Sequence, residues 1–129
     1  MRTPEEILRT ARTIAVVGAS PDPSRTSHGV MRYLQRVGYR CIPINPNADD
    51  VLGERCYASL ADLPEPVDLV DVFRRAEYCV DVAREAAAIG APALWLQLGL
   101  RSAEARDVAE EAGMEYVEDA CTAVVHRRL

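Results

Sequence analysis

Six residues suited to holding a phosphate crowd into one short stretch: Gly18, Ser20, Ser24, Arg25, Thr26 and Ser27 come directly after the apolar run Ile14 to Val17. A glycine turn brings backbone amides close to a ligand, hydroxyls donate hydrogen bonds to its oxygens, and a guanidinium neutralises its charge. The same residues admit a plainer role, because Thr26 or Ser27 can equally cap the helix that begins there. Groups of similar character recur later: Asn45 and Pro46, then Phe73, Arg74 and Arg75, then Gln97, Leu98 and Gly99, then Asp119 and Cys121. Each set lies at the end of an apolar run, so one scaffold can gather them.

The elements that must do this alternate along the chain. Apolar strands are expected at Ile14 to Val17, Arg40 to Ile44, Val67 to Phe73, Ala93 to Leu98 and Glu115 to Val117. Between them lie helical patterns: Val30, Met31, Leu34 and Val37, then Tyr78 to Ile89, then a helix capped by Ser102 with Ala105, Val108, Ala109 and Ala112 on one face. Gly38, Gly90 and Gly113 each come after a helix and before a strand, as a left-handed closing glycine does. Thr3, Pro4 and Glu6 form a capping box that opens a first helix, expected on the outside of the sheet. Asn45 to Pro66 is rich in turn residues, with Tyr57 to Leu63 the one plausible short helix and no domain boundary.

This alternation predicts an α/β fold: a doubly wound, Rossmann-like parallel sheet of five strands in a single domain spanning residues 1–129. Continuous apolar strands such as LVDVF and ALWLQL suit a sheet covered on both faces. In such a sheet the carboxyl ends of all five strands lie along one edge, and ligands bind in the crevice outside it. The chemistry-bearing sets therefore converge through topology.

Composition excludes several alternatives. A hydrophobic fraction of 49% with 27% charged residues marks an ordinary globular protein rather than a disordered or fibrous one. No apolar run reaches the roughly 20 residues of a membrane span and no signal sequence is evident, so a cytoplasmic protein is expected. A formal net charge of −5 argues against a nucleic-acid partner held by bulk charge. All 15 basic residues are arginine, which rules out a phosphate-loop lysine, a Schiff-base lysine and a Ser-Lys dyad. Cys41, Cys56, Cys79 and Cys121 are scattered without a CxxC pair, and with only His28 and His126 beside them no metal centre is expected. Trp95 belongs to a buried strand and reads as core, and His126 as a packing or surface residue. His28, beside the phosphate turn, is placed to touch a ligand.

The dinucleotide fingerprint GxGxxG is missing, because Ser20 stands where its second glycine belongs. The second strand ends in Asn45 and Pro46, where binding of NAD calls for a carboxylate on the ribose. The pattern favours a phosphorylated ligand other than NAD.

The motifs IAVVGASP (from Ile14), PINP (from Pro43), LGE (from Leu52), LVDVFRR (from Leu69), LQLG (from Leu96) and DAC (from Asp119) resemble the small single-domain CoA-binding proteins. These are similar in turn to the CoA-binding domain of the succinyl-CoA synthetase α subunit. The resemblance covers nearly the whole chain. It implies that Gly18, Ala19, Ser20 and Arg25, with Ser27 beside them, hold the phosphates of coenzyme A. Asn45 and Pro46 would border the adenosine, Val72, Phe73 and Arg74 would flank it, and Gln97, Leu98 and Gly99 would line the route of the pantetheine arm. The last loop departs from the family pattern: Ala120 replaces a basic residue, and no lysine comes after the cysteine.

The function expected is binding of a small molecule, CoA or an acyl-CoA, without evident catalytic machinery. No nucleophile, base and acid set is apparent, so an enzyme is the less favoured reading. The alternatives are a small NAD(P)-linked oxidoreductase, or a thiol-redox module in which Cys121 exchanges with CoA disulfide. Cys121 itself, at the ligand edge and a possible helix amino terminus, reads either as a thiol near the CoA sulfur or as a small buried hydrophobe. The sequence names no protein partner.

Overall fold

The computed structural model describes residues 1–129, and the parallel sheet is its frame. Its elements run α1 (Pro4–Thr10), β1 (Thr13–Val17), α2 (Thr26–Arg36), β2 (Arg40–Ile44), β3 (Asp50–Val51), β4 (Glu54–Arg55), a 3₁₀ turn (Leu60–Asp62), β5 (Leu69–Val72), α3 (Ala76–Ala88), β6 (Ala93–Leu96), α4 (Ala103–Glu111), β7 (Glu115–Val117) and α5 (Thr122–Arg127). Five strands form one sheet in the order β2-β1-β5-β6-β7, and every neighbouring pair is parallel. The chain starts at β1, moves outward to β2, then crosses back over β1 to β5 and continues in the other direction. The gap between the ends of β1 and β5 is thus the switch point, where connections leave the sheet on opposite sides and a crevice opens.

Successive strand residues point to opposite faces, and both faces are buried. Ala15, Val17, Val70, Val72, Leu94 and Leu96 pack against Cys79, Val82, Ala83 and Ala86 of α3 and against Ala105 and Ala109 of α4. Small side chains at those helix positions let the two helices lie close to the sheet and to each other. On the other face Ile14, Val16, Leu69, Ala93 and Trp95 meet Ile7 and Leu8 of α1, Val30, Met31 and Leu34 of α2, and Ala123 and Val125 of α5. The strands have to be apolar on both sides because neither face is left to water.

Helix starts obey their local chemistry. Thr3 and Glu6 form the expected reciprocal cap on α1, at 3.0 and 3.1 Å. Ser102 caps α4 by accepting the Ala105 amide at 3.1 Å. For α2 the expectation needs correcting: Arg25 occupies the cap position and makes no side-chain cap bond, so neither Thr26 nor Ser27 caps the helix.

Between β2 and β5 the structure differs from the sequence reading. The helix expected over Tyr57 to Leu63 shrinks to the 3₁₀ turn at Leu60–Asp62. Ahead of it lies an antiparallel hairpin, β3 with β4, which the sequence reading does not contain. Its turn runs through Leu52 and Gly53 at φ 50° and 81°, the paired positive values of a type I′ connection. Helix α5 begins directly after Cys121, where a helix start is expected. No helix is long and apolar enough to cross a membrane.

Candidate functional site

The site is built outward from Gly18. Its amide donates to the Ile44 carbonyl at 3.0 Å, while the Phe73 amide donates to the Val17 carbonyl at 2.8 Å. The turn after β1 is therefore tied both to the end of β2 and to the end of β5. Gly18 has φ +85°, and a Cβ added there would sit 2.6 Å from the Phe73 carbonyl oxygen. Only glycine fits, because both the backbone conformation and the neighbouring strand exclude a side chain.

Asn45 braces the same corner. Its side-chain amide donates to the Ala19 carbonyl at 2.8 Å, and its carbonyl oxygen accepts the Asn47 amide at 2.8 Å. Both ends of the side chain are thus engaged by the protein, fixing the position of the turn beyond Ala19. Within the turn, Ser20 accepts the Asp22 amide at 3.1 Å, and the Asp22 carboxylate accepts both the amide and the hydroxyl of Ser24 at 2.9 and 2.8 Å. Those bonds hold the Asp22 carboxyl below the usual carboxylate range, the Ser24 amide contributing most.

The turn, the end of β5 and the end of β6 enclose a cleft of about 710 Å³. Of the candidate residues, it brings together Gly18, Ala19, Ser20, Arg25, Ser27, Asn45, Phe73, Arg74, Gln97 and Leu98. Three arginines line it, Arg25, Arg74 and Arg75, and no carboxylate does. Arg25 and Arg74 form no ion pair within the protein. Arg74 lies 4.7 Å from the centre of the Tyr78 ring, which steers the guanidinium without neutralising it. A second cleft of about 430 Å³ adjoins the first and shares Gly18, Asn45, Phe73 and Arg74 with it. Pro46 lies there, together with Ser59, Leu60, Val82 and Glu85, none of which sequence reasoning assigned to the site. They belong to the 3₁₀ segment and to α3, elements whose side chains carry no local signature of binding.

Four candidates fall elsewhere. Val72 is fully buried in β5 and faces the α3 and α4 side, so it touches neither cleft. Gly99 is not on the cleft wall; its amide donates to Asp119 at 2.8 Å, a bond that, with Arg101, keeps the Asp119 carboxyl low. Cys121 is half-buried at the cap position of α5 and does not line the cleft. His28 is half-buried on α2 and does not line it either. His126 packs edge-on against Tyr33 and Tyr39, and Trp95 is fully buried with its indole N–H on the Ala120 carbonyl at 2.8 Å. All four cysteines are free, and no group of three or more His, Cys, Asp or Glu side chains is placed to hold a metal ion.

Two buried polar partners of Gln97, Asp71 and Thr122, escaped sequence reasoning. Asp71 is fully buried in β5, with its two oxygens taken by Gln97 Nε2 at 2.5 Å and by the Thr122 hydroxyl at 3.0 Å. Gln97 Nε2 also donates to Thr122 Oγ1 at 3.0 Å, closing a triangle between β5, the end of β6 and the start of α5. Burial pushes the Asp71 carboxyl up to about 7, against the pull of its two donors.

Comparison with known proteins fits this geometry. Residues 12–127 match the family model described as CoA binding domain. The chain is 43% identical over 122 residues to the protein YneT of Bacillus subtilis (strain 168), a match covering 95% of this chain and 90% of that one. It is 32% identical over 81 residues to acetate–CoA ligase (ADP-forming) II of Archaeoglobus fulgidus; this spans 61% of the chain but 12% of the ligase, so it concerns one segment of a much longer protein. A solved structure, a hypothetical protein from Pyrococcus horikoshii OT3, superposes with a TM-score of 0.94 at 37% identity, covering 99% of this chain and 92% of that one. With its parallel sheet, its crevice at the switch point and a family match over nearly its whole length, the chain belongs to the CoA binding domain family.

Proposed function

We propose that this protein binds coenzyme A or an acyl-CoA in the crevice outside β1, β5 and β6, and does not itself catalyse a reaction. The observation that carries the reading is the pair of clefts joined at Gly18 and Arg74, the larger lined by three arginines and no carboxylate. An elongated, multiply phosphorylated ligand matches that form. Its phosphates meet the amides after Gly18 with Arg25 and Arg74, its adenosine occupies the cleft beside Pro46 and Ser59, and its arm runs past Gln97 and Leu98. Two guanidiniums without internal partners suit phosphate groups, which they engage through paired N–H donors.

An NAD(P)-linked reading is less well supported. Asn45, at the position of the ribose-binding carboxylate, spends both ends of its side chain on Ala19 and Asn47. The thiol-redox reading keeps one supporting observation: Cys121 directly precedes Thr122, whose hydroxyl lies on Gln97 at the cleft wall.

A ligand that binds only the folded state stabilises it by mass action, by about 2.7 kcal/mol at 100 times its Kd, and so raises the melting temperature. Melting curves with CoA, dephospho-CoA and NAD at millimolar concentration test the proposal. Upward shifts in the order CoA, dephospho-CoA, NAD are expected. An unchanged melting temperature with CoA, or a larger shift with NAD, would overturn it.

A further inference from the structure

Gln97 stands where the cleft meets the buried polar triangle. It is only 5% exposed, yet it forms part of the cleft wall. Both protons of its side-chain amide are committed, one to Asp71 and one to Thr122. Its carbonyl oxygen has no protein partner, and since the protein leaves no buried side-chain oxygen unsatisfied, that oxygen is open to the cleft. A primary amide is nearly symmetric in shape, so packing alone does not decide which end faces a ligand. Asp71 decides it, because an ionised carboxylate accepts hydrogen bonds and cannot donate them.

We propose that Asp71 and Thr122 are positioning residues that lock Gln97 with its carbonyl oxygen toward the cleft, so that this subsite selects a ligand segment bearing an amide or amine N–H. The inference deepens the CoA reading and rests on it: the arm of CoA carries amide N–H groups, whereas its nucleotide portion ends at the pyrophosphate. The Arg-lined turn supplies charge recognition, and Gln97 adds selection for the group attached beyond the phosphates, on the β6 side.

The lock depends on the ionisation of Asp71. No arginine faces Asp71: Gln97, just past β6, and Thr122 from α5 contact it, and Cys41 of β2 is the ionisable neighbour it influences, a thiol that burial pushes up to about 12 and keeps neutral. With the carboxyl raised to about 7, acidification adds a proton to Asp71 and gives it an O–H donor. Gln97 is then free to turn its amide over and present N–H groups to the cleft, which repel the N–H of an arm amide.

Calorimetric titrations of the protein with CoA and with the nucleotide fragment that ends at the pyrophosphate test this, at pH 8 and pH 6. Asp71→Asn removes the enforced orientation, since either amide can then donate to the other. That variant is expected to bind CoA about threefold to tenfold more weakly at pH 8, the range of one hydrogen bond, with the fragment unaffected. In the wild-type protein the preference for CoA over the fragment should fall between pH 8 and pH 6 relative to Asp71→Asn, whose own change over that range reports the titration of the fragment's terminal phosphate. Thr122→Val, which keeps the side-chain shape, should lower the preference while retaining its pH dependence. Equal losses for CoA and fragment, or a CoA preference indifferent to Asp71→Asn and to pH, would overturn the positioning role. If the wild-type protein binds the fragment but gains nothing from the arm, the inference fails and nucleotide recognition stands. Failure to bind either ligand overturns the CoA reading and this inference together.

Discussion

Replacing Gly18 with alanine should be far more damaging than the loss of one hydrogen atom suggests. At φ +85° an alanine pays the left-handed cost of about 1–2 kcal/mol. The new methyl would also lie 2.6 Å from the Phe73 carbonyl oxygen and 3.0 Å from its carbon, which are backbone atoms at the end of the neighbouring strand. They are not free to retreat, because the Phe73 amide is bonded to Val17 at 2.8 Å and the Gly18 amide to Ile44 at 3.0 Å. Relieving such overpacking costs about 1–3 kcal/mol, for a total of about 2–5 kcal/mol. For a domain of this size that is a fall in melting temperature of about 10 °C or more. Gly99→Ala is the internal control: φ is +87°, but nothing lies within 4 Å of the added methyl, so only the conformational cost applies. Thermal melts of both variants, monitored by circular dichroism, make the comparison. Equal destabilisation of the two would refute the argument that β1 and β5 are pinned together at the switch point.

Three further outcomes are expected from the same geometry. Arg25→Ala and Arg74→Ala should each weaken CoA binding by about 1–2 kcal/mol, roughly fivefold to thirtyfold, without lowering the melting temperature; titration calorimetry checks this, and the loss should shrink in high salt. Asp71 should make stability fall as pH rises: its carboxyl is raised to about 7 in the folded chain, so between about 4 and 7 the native state holds a proton that the unfolded state has lost. Denaturant midpoints at pH 5 and pH 8 should therefore differ in the wild-type protein and converge in Asp71→Asn. If Cys121 reaches the ligand sulfur, its thiolate attacks CoA disulfide, forming a Cys121–CoA mixed disulfide and releasing one CoA thiol. Intact mass after treatment should then rise by one CoA in the wild-type protein and stay unchanged in Cys121→Ser, whereas an adduct persisting in that variant would assign the reaction to another cysteine.

The architecture was legible in the sequence wherever one signal was repeated. Apolar runs, closing glycines at Gly38, Gly90 and Gly113, and caps at Thr3 and Ser102 agree with one another, and they define a parallel sheet with a known ligand edge. The larger cleft was legible for the same reason: Gly18, Arg25, Arg74 and Gln97 are neighbours through topology, although the chain separates them widely. The hairpin of β3 and β4 was not legible, since its strands are two residues each and its turn places Leu52, a residue type that avoids positive φ, at 50°. Helix α5 was legible only as a possible start at Cys121, because six residues carry too little periodicity to give its extent. Asp71 was hidden inside a run that reads as plain buried strand, with partners 26 and 51 residues away. A charged residue in a strand buried on both faces was the one available clue, because such a group must find donors when it folds. Val72 was placed in the site through its neighbours Phe73 and Arg74, but the two-residue alternation of the strand turns it into the core.

Direct titration of the purified protein with CoA and with NAD tests the central claim most sharply. The account expects saturable binding of one CoA per chain below millimolar concentration, much weaker or no binding of NAD, and loss of CoA affinity when Arg25 and Arg74 are both replaced by alanine. Absence of binding at millimolar CoA, or NAD binding as tight as CoA, would contradict it.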